Sequence, residues 1–152
     1  MSAVYCPPRH APSSATYSDF FRCLGPRFLV GGEWNAKHTT WGARLITPKE
    51  RTLLSAIHGC HGTYFSTGEP TYWPTDHHRL PDLLDFFVAR GIAANYIRVE
   101  PWFELSSDNS PIRATVGAHV LPRAVPPHSL QIILTGTHFV PILPLISTFT
   151  YG

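Results

Sequence analysis

The stretch RFLVGGEWNAKH, residues 27–38, constrains the fold more than any other part of the chain. Its apolar residues 28–30 predict a short buried strand. The glycine pair Gly31–Gly32 is predicted to break this strand, because residues without Cβ let the backbone turn sharply and approach another group closely. Glu33 and Asn35 follow, spaced so that their side chains leave the same side of an extended segment. A carboxylate and an amide at a strand end can hold a water, a metal-bound ligand or a phosphate. A strand followed by an Asx turn explains the same residues, and the stretch alone leaves both interpretations open.

The length and composition of the chain predict one globular domain. The chain has 152 residues, of which 43% are hydrophobic and only 14% are charged, and its formal net charge is +2. This charge does not by itself indicate a nucleic-acid binder. The three cysteines cannot all pair with one another and show no CxxC spacing, so we interpret them as reduced thiols of an intracellular protein. The first residues lack the basic and apolar segments of a secretory signal peptide.

Alternating strand and helix patterns predict an α/β domain with helices covering a sheet. Apolar residues within 17–24 recur at helical spacing, which predicts an amphipathic helix capped by Thr16. A second helix is predicted to begin after Thr47, because Thr47 suits the N-cap and Glu50 completes a capping box, and to end at Gly59. Strands are predicted at residues 3–5, 28–30, 63–65, 96–99 and 112–116.

Two further polar groups lie near predicted strand ends. Asp85 interrupts the apolar run Leu83–Val88, where a carboxylate is costly to bury unless it is paired or hydrogen-bonded. It is therefore either part of a site or network, or a strand-end carboxylate that faces solvent. Residues 107–110, SDNS, form either a plain turn or part of the same site as Glu33 and Asn35.

Basic and aromatic residues occur near these polar groups. Lys37 and Arg44 follow Asn35 and could meet phosphates, or they could belong to a solvated loop. Tyr72 and Trp73 lie in a turn-rich loop, where they could stack on bases or cover the core.

One group contains metal-ligating residue types. His58, Cys60 and His61 lie at the end of the second predicted helix. They resemble a zinc cluster only in part, because no second pair of ligands follows at a suitable spacing.

The end of the chain differs in composition from the rest. Residues 124–152 contain no Asp, Glu, Lys or Arg, and their prolines make them a poor membrane span. The segment also shows no clear hydrophobic period. We therefore predict a domain at residues 1–122 and a Pro-rich, uncharged, poorly ordered tail at residues 123–152. A reading-frame shift near Leu130 is one hypothesis for the origin of this tail.

Five stretches, taken in this order, resemble the endonuclease/exonuclease/phosphatase superfamily, and above all the endonuclease domain of jockey-type non-LTR retrotransposons. They are AVYCPP (3–8), FLVGGEWNAKHTTWG (28–42), STGEPTYWP (66–74), PDLLDFFV (81–88) and LSSDNSP (105–111). Their common order is more specific than any single stretch. The resemblance implies an α/β fold that is half of a two-layer β-sandwich flanked by helices, with the N-terminal half of the domain missing.

The resemblance also implies roles for single residues. Tyr5 matches a tyrosine that touches the scissile phosphate, and Asn35 matches an asparagine that binds a phosphate oxygen. Glu33 stands where the family has an aspartate that handles the attacking water or the leaving-group proton. Asp85 matches the aspartate that orients a catalytic histidine. Asp108 matches an aspartate near the metal, which makes it the expected metal ligand.

Three departures from the family pattern bear on activity. Asn109 stands at the position of the catalytic histidine, and an amide neither accepts a proton near pH 7 nor carries a charge. Glu33 is one methylene longer than the family's aspartate, and a displacement of about 1 Å can cost about a hundredfold in rate. The missing half would carry the principal metal-binding glutamate, so Asp108 alone would hold Mg²⁺ weakly.

The resemblance therefore implies a fragment of a Mg²⁺-dependent DNA endonuclease that nicks target DNA for retrotransposition and is inactive as it stands. The expected DNA-contacting residues are Lys37, Arg44, Tyr72 and Trp73. The alternatives are a non-catalytic nucleic-acid-binding remnant, or a weak nuclease that a partner completes through exposed sheet edges. We expect DNA as the partner, no membrane association and, by resemblance, a nuclear location.

Overall fold

The structure is a computed structural model that describes residues 1–44, 46–102 and 109–117 and the backbone of residues 129–134. Its elements in chain order are β1 (Ser2–Tyr5), α1 (Ser14–Cys23), β2 (Phe28–Glu33), α2 (Pro48–Gly59), β3 (Thr63–Phe65), β4 (Asp85–Arg90), β5 (Ile97–Pro101), β6 (Ile112–Gly117) and β7 (Ser129–Leu134), with short 3₁₀ helices at Thr39–Trp41 and Ala94–Tyr96. None of the helices in these described ranges is long and apolar enough to span a membrane.

Two stacked sheets form the centre of the fold. The first sheet has the strand order β1-β2-β4-β3, in which β1 is parallel to β2 and the other pairs are antiparallel. The second sheet is antiparallel, with the order β5-β6-β7. Strand β3 contacts β5 and strand β4 contacts β6, so the sheets lie face to face. The predicted α/β class is confirmed.

The first sheet has a separate hydrophobic core on each face, because successive strand residues point to opposite sides. Val30 of β2 and Phe86 of β4 pack with residues of α1 and α2, including Phe21. Leu29 and Phe87 point the other way and pack with residues of the second sheet. The helices therefore form a third layer, and the strand ends remain available for polar groups.

Helix α1 begins earlier than the sequence predicts. Ser13, rather than Thr16, is the N-cap, and its hydroxyl accepts a hydrogen bond from the backbone N–H of Thr16 at 3.1 Å. Both residues are good N-caps, and the earlier one adds a turn of helix. The predicted buried face is confirmed, since Tyr17 and Phe21 are buried.

Helix α2 has the predicted capping box. Thr47 is the N-cap, and the Glu50 carboxylate accepts a hydrogen bond from its backbone N–H. Glu50 is only 1% exposed, and it also accepts from the backbone N–H of Lys37. This carboxylate therefore fixes the loop after β2 to the helix. The helix includes Gly59, and Cys60 is its C-cap, one residue beyond the predicted end.

The glycine pair does not form the predicted turn. Strand β2 continues through Gly31 and Gly32 to Glu33. Gly32 has a φ of 151°, and a Cβ at this position would lie 1.9 Å from the carbonyl oxygen of Val4. The predicted turn was therefore wrong, whereas the predicted close approach is confirmed, because Gly32 lies against the backbone of β1.

The other predicted strands are confirmed with small shifts of their ends. Strands β1, β3 and β6 lie within one residue of the predicted ranges. Strand β5 begins at Ile97, because Tyr96 ends a short 3₁₀ helix.

One strand lies inside the segment that was predicted to be a poorly ordered tail. Strand β7 pairs with β6 along its whole length, from Ser129 to Leu134. The remainder of residues 123–152 lies outside the described residues. The aperiodic composition of this segment gave no signal for a strand.

Candidate functional site

Strands β1, β2 and β4 each bring one polar side chain to the same end of the first sheet. Tyr5 is the register partner of Glu33, and Glu33 is the register partner of Asp85. Register partners share a face of a sheet, and alternation from Leu29 and Phe87 places this row on the side of the second sheet. The fold therefore brings together three predicted site residues from three strands.

Asn35 joins this row from the loop after β2. Its φ of 48° lies in the left-handed region, which Asn adopts more readily than most residues. The Asn35 amide donates to Glu33 Oε1 at 2.5 Å and to the carbonyl oxygen of Cys6 at 3.1 Å. An amide nitrogen carries two hydrogens, so both donors of Asn35 are engaged inside the protein.

Burial dominates the titration of the two carboxylates in the row. Desolvation raises the pKa of Asp85 from 3.8 to about 7; a hydrogen bond from Thr71 opposes the rise and the charge of Glu33 adds to it. Desolvation also raises the pKa of Glu33, against the opposing effects of the Asn35 hydrogen bond and the Lys49 charge. The pair can therefore hold a proton near neutral pH.

Thr71 is a buried residue that connects Asp85 to the segment containing Asn109 and Ser110. Its hydroxyl accepts from the backbone N–H groups of Leu84 and Asp85, both at 3.0 Å, and hydrogen-bonds to the Asp85 carboxylate. Its backbone N–H donates to the carbonyl of Asp82 at 3.0 Å, and its carbonyl accepts from the N–H of Ser110 at 2.7 Å. Sequence reasoning missed Thr71, because a threonine in a turn-rich loop has no distinctive pattern.

Asn109 belongs to the segment that Thr71 anchors. It forms an antiparallel bridge with Tyr72, the residue after Thr71. The position where the resemblance places a catalytic histidine is therefore linked through Thr71 to Asp85. Asp108, the expected metal ligand, lies outside the described residues.

Lys37 and Arg44 lie near the start of β4 and face a carboxylate of the protein. Lys37 Nζ is 2.9 Å from Asp82 Oδ2, and an Arg44 guanidinium nitrogen is 3.9 Å from the same oxygen. Asp82 is only 2% exposed, so this arrangement neutralises a buried charge. The two cations, which we expected to meet DNA phosphates, are therefore also partners of Asp82. Sequence reasoning missed Asp82, although it borders the same apolar run as Asp85.

The two aromatic residues of the turn-rich loop differ in exposure. Trp73 is 50% exposed, and its indole N–H donates to the hydroxyl of Ser110 at 3.1 Å. Tyr72 is partly buried and pairs through its backbone with Asp82 and Asn109. Trp73 thus offers an aromatic surface beside the Asn109 segment, whereas the backbone of Tyr72 holds the loops together.

A model of a known protein family matches most of this chain. Residues 1–113 match the family model described as "Endonuclease-reverse transcriptase". The chain belongs to this family. The endonuclease-reverse transcriptase match runs from β1 into β6, and it contains every described residue of the candidate site.

Curated relatives of this endonuclease-reverse transcriptase chain come from mobile elements of Drosophila. It is 35% identical over 129 residues to the "RNA-directed DNA polymerase from mobile element jockey" of Drosophila funebris, covering 85% of this chain and 14% of that protein. It is 33% identical over 133 residues to the "Probable RNA-directed DNA polymerase from transposon BS" of Drosophila melanogaster, covering 84% and 15%. The chain therefore spans only a small part of the length of these relatives.

The solved endonuclease domain of TRAS1, described as "a telomere-specific non-LTR retrotransposon", has a similar fold. The TM-score is 0.60 at 19% identity, and the match covers 70% of this chain and 52% of that chain. The family, the relatives and this fold together confirm the predicted resemblance to non-LTR retrotransposon endonuclease domains.

The described residues of this family member do not make a metal site by themselves. Among them, no three or more His, Cys, Asp or Glu side chains cluster in a way that could hold an ion. Glu33 and Asp85 supply two carboxylates, but burial raises the pKa of both and so opposes the ionised forms that a cation requires. Cys60 belongs to the group that resembles a zinc cluster in part, and its thiol donates a hydrogen bond to the carbonyl oxygen of Ile57 at 3.2 Å.

Proposed function

We propose that this chain carries the site of a retrotransposon endonuclease, arranged for phosphodiester hydrolysis in DNA, and that this site does not cleave DNA. The family match and the α/β sandwich support the endonuclease class. The row of Tyr5, Glu33 and Asp85, with Asn35 beside it, supports the location of the site.

The engagement of Asn35 is the observation that carries the proposal of inactivity. An asparagine that binds a phosphate oxygen needs a free amide hydrogen, and Glu33 and Cys6 take both hydrogens of Asn35. The bond to Glu33 joins an amide to a carboxylate, and such bonds contribute about 1.5–3 kcal/mol. A phosphate would have to displace this bond, and it would also approach the Glu33 carboxylate.

Asn109 also supports the proposal of inactivity. Thr71 holds the Asn109 segment against the start of β4, where Asp85 could orient an imidazole. An amide at this position transfers no proton, and the loss of a proton-transfer group costs about a hundredfold to ten-thousandfold in rate. Asp85 can still hold a proton, but Asn109 has no imidazole ring that Asp85 could orient.

Magnesium dependence is part of the proposal for the ancestral reaction. Asp108 would be the ligand by resemblance, and the described residues add only Glu33 and Asp85. Because Mg²⁺ is held in octahedral geometry through ionised carboxylates, and burial opposes the ionised forms of Glu33 and Asp85, we propose that this chain binds it weakly or not at all.

A plasmid-nicking assay tests the proposed inactivity. The full chain is incubated with supercoiled DNA and Mg²⁺, with and without EDTA, beside an Asp85→Asn variant. We expect no nicking above the buffer control for either protein. Nicking that EDTA stops and that Asp85→Asn abolishes would overturn the proposal, because it would locate activity in this site.

A DNA-binding module without catalysis is the second candidate function, and the exposure of Trp73 favours it. Base stacking on an aromatic residue contributes about 1–3 kcal/mol. We therefore expect Trp73→Ala to weaken binding of a single-stranded oligonucleotide about tenfold in fluorescence anisotropy, and Trp73→Phe to weaken it less. No binding at low salt would exclude this candidate.

Action on target DNA also implies a nuclear location, which a fluorescent fusion would test.

A further inference from the structure

Lys49 is a cation of helix α2 that lies beside the candidate site. It is the second residue of the helix, and its ammonium donates to the carbonyl oxygen of Pro7, in the loop after β1, at 3.1 Å. The Asn35 amide donates to the preceding carbonyl of this loop, that of Cys6, at 3.1 Å. The lysine and the asparagine therefore bind neighbouring peptide groups, and Lys49 lies at the same end of the first sheet as Glu33.

The charge of Lys49 acts on the site. It is one of the effects that oppose the rise in the pKa of Glu33, which burial causes. Because Coulombic interactions weaken with distance, this effect requires the ammonium to lie near the Glu33 carboxylate. Lys49 nevertheless forms no ion pair with an acidic side chain in the part of the chain that the structure describes. Its positive charge is therefore not neutralised by a direct partner there.

The two cations that we expected to contact DNA differ from Lys49 in this respect. Lys37 Nζ is 2.9 Å from Asp82 Oδ2, and an Arg44 nitrogen is 3.9 Å from the same oxygen. A cation that pairs with a buried carboxylate of the protein has less charge to offer a phosphate. Lys49 is therefore the better candidate for a contact with the DNA backbone.

A phosphate that approaches this end of the sheet needs a cation. The row presents the carboxylates of Glu33 and Asp85, which repel an anion when they are ionised. Asn35 does not offset this charge, because its amide is neutral and both of its hydrogens are engaged. Lys49 is partly exposed, and an ammonium has three hydrogens. It can therefore contact a phosphate oxygen while it keeps its bond to Pro7.

We propose that Lys49 binds a backbone phosphate of duplex DNA that flanks the row of Tyr5, Glu33 and Asp85. This inference rests on the proposed function in one respect, because it takes the row to face DNA. It names a residue that would hold the duplex at the site, and it does not require cleavage. Contacts to phosphates fix the position of a protein on the duplex without reading its sequence, and the compact charge of a lysine suits this task.

Fluorescence anisotropy with a labelled DNA duplex tests the proposal with the full chain. Lys49→Met removes the charge, and Lys49→Arg keeps it. Arg51→Met is the matched control, because Arg51 is exposed, forms no ion pair among the described residues and lies two positions further along the same helix, where side chains leave on a different side. At low salt we expect Lys49→Met to weaken binding about tenfold, because a charge-assisted hydrogen bond is lost. We expect Lys49→Arg and Arg51→Met to stay within about twofold of the wild type.

The salt dependence of binding separates a phosphate contact from a structural role. Each phosphate contact on duplex DNA contributes about 0.9 to the steepness of log K against log salt. Lys49→Met should therefore make this dependence shallower by about one, whereas a loss of the hydrogen bond to Pro7 alone would lower stability and leave the slope unchanged. A thermal melt checks that each variant folds. If Lys49→Met does not fold, Lys49→Gln, which keeps an N–H donor without the charge, gives the same comparison.

Two results would overturn the proposal. The first is equal affinity and equal salt dependence for the Lys49→Met and Arg51→Met variants. The second is a wild-type chain that binds no duplex at low salt. Failure of the proposed inactivity is a different result, since chelator-sensitive nicking by the wild type would overturn it without changing the difference between the Lys49 and Arg51 variants.

Discussion

Asp82 and Asp85 lie on either side of two leucines, and their environments are opposite. Asp82 is 2% exposed, and Lys37 Nζ lies 2.9 Å from its carboxylate. Asp85 lies beside another carboxylate, Glu33, and no Lys or Arg in the described part of the chain is within ion-pair distance of it. Burial therefore raises the pKa of Asp85 to about 7, whereas Asp82 is matched by a cation.

This difference gives the two carboxylates different roles: Asp82 stabilises the fold, whereas Asp85 can exchange a proton. The ion pair of Asp82 ties the loop that follows β2 to the start of β4. Asp85 is held by a neutral group, Thr71, and so keeps the capacity to gain or lose a proton near neutral pH. Four predictions test this comparison, and the expected effects decrease from the first to the last.

Removing the cation from Asp82 should have the largest effect. Lys37→Met leaves a buried carboxylate without its nearest cation, and breaking a buried pair is strongly destabilising. Because the Lys37 side chain is itself 37% exposed and Arg44 remains nearby, we expect a loss of about 3 kcal/mol in the free energy of unfolding. Urea denaturation measures it.

Two control variants sharpen this prediction. Arg44→Met should cost under about 1 kcal/mol, because its nitrogen is 3.9 Å from Asp82 and its side chain is 45% exposed. Adding Asp82→Asn to Lys37→Met should restore part of the loss. A double variant that is less stable than Lys37→Met would show that the charge of Asp82 is not the cause.

The protonation of Asp85 should make stability depend on pH. Its folded-state pKa of about 7 exceeds the ordinary value of 3.8, so its contribution is fully present below pH 3.8 and is lost as the pH rises through 7. Asp85→Asn removes this dependence. Relative to the wild type, the variant should gain at most about 2–3 kcal/mol between about pH 4.5 and pH 7 in urea denaturation. Parallel stability curves for the two proteins would contradict the raised pKa.

Removing the Thr71 hydroxyl should affect both stability and titration. Thr71→Val leaves two backbone N–H groups without an acceptor, that of Leu84 buried and that of Asp85 partly buried, which should cost about 2 kcal/mol. It also removes the hydrogen bond that opposes the raised pKa of Asp85, so this pKa should rise further. Thr71→Ser keeps the hydroxyl and is the matched control. If the Ser and Val variants behave alike in denaturation and ¹³C NMR titration, the hydroxyl is not the connection that we describe.

Removing the Glu33 charge should have the smallest effect. Glu33→Gln abolishes the repulsion that adds to the raised pKa of Asp85, so this pKa should fall slightly. The fall is small because desolvation, which the variant leaves in place, is the larger cause. A ¹³C NMR titration measures it, and an unchanged or higher pKa would show that the two carboxylates do not interact.

Local sequence signals predicted much of the fold because neighbouring residues determine them. The Thr47–Glu50 capping box and the apolar spacing of α1 depend on contacts within a few residues, and both are present in the structure. The contact between Glu33 and Asn35 was also predictable from the sequence, since these residues lie two positions apart. The carboxylate in an apolar run drew attention to Asp85, which the structure places opposite Glu33.

Tertiary contacts decided the features that the sequence did not reveal. Gly32 faces the backbone of Val4, and a close approach has the same local signature as a turn. Lys37 and Asp82 are far apart along the chain, so nothing local showed that this cation was already paired. Thr71 connects Asp85 to Ser110 through hydrogen bonds that no spacing rule predicts.

Plasmid nicking by a Glu33→Asp, Asn109→His double variant tests the central claim most directly. The assay compares the double variant with the wild type, each with Mg²⁺ or EDTA present. We predict that the wild type shows no nicking above the buffer control, and that the double variant nicks in a chelator-sensitive way, because a proton-transfer group is restored. Chelator-sensitive nicking by the wild type at the rate of the double variant would contradict the account.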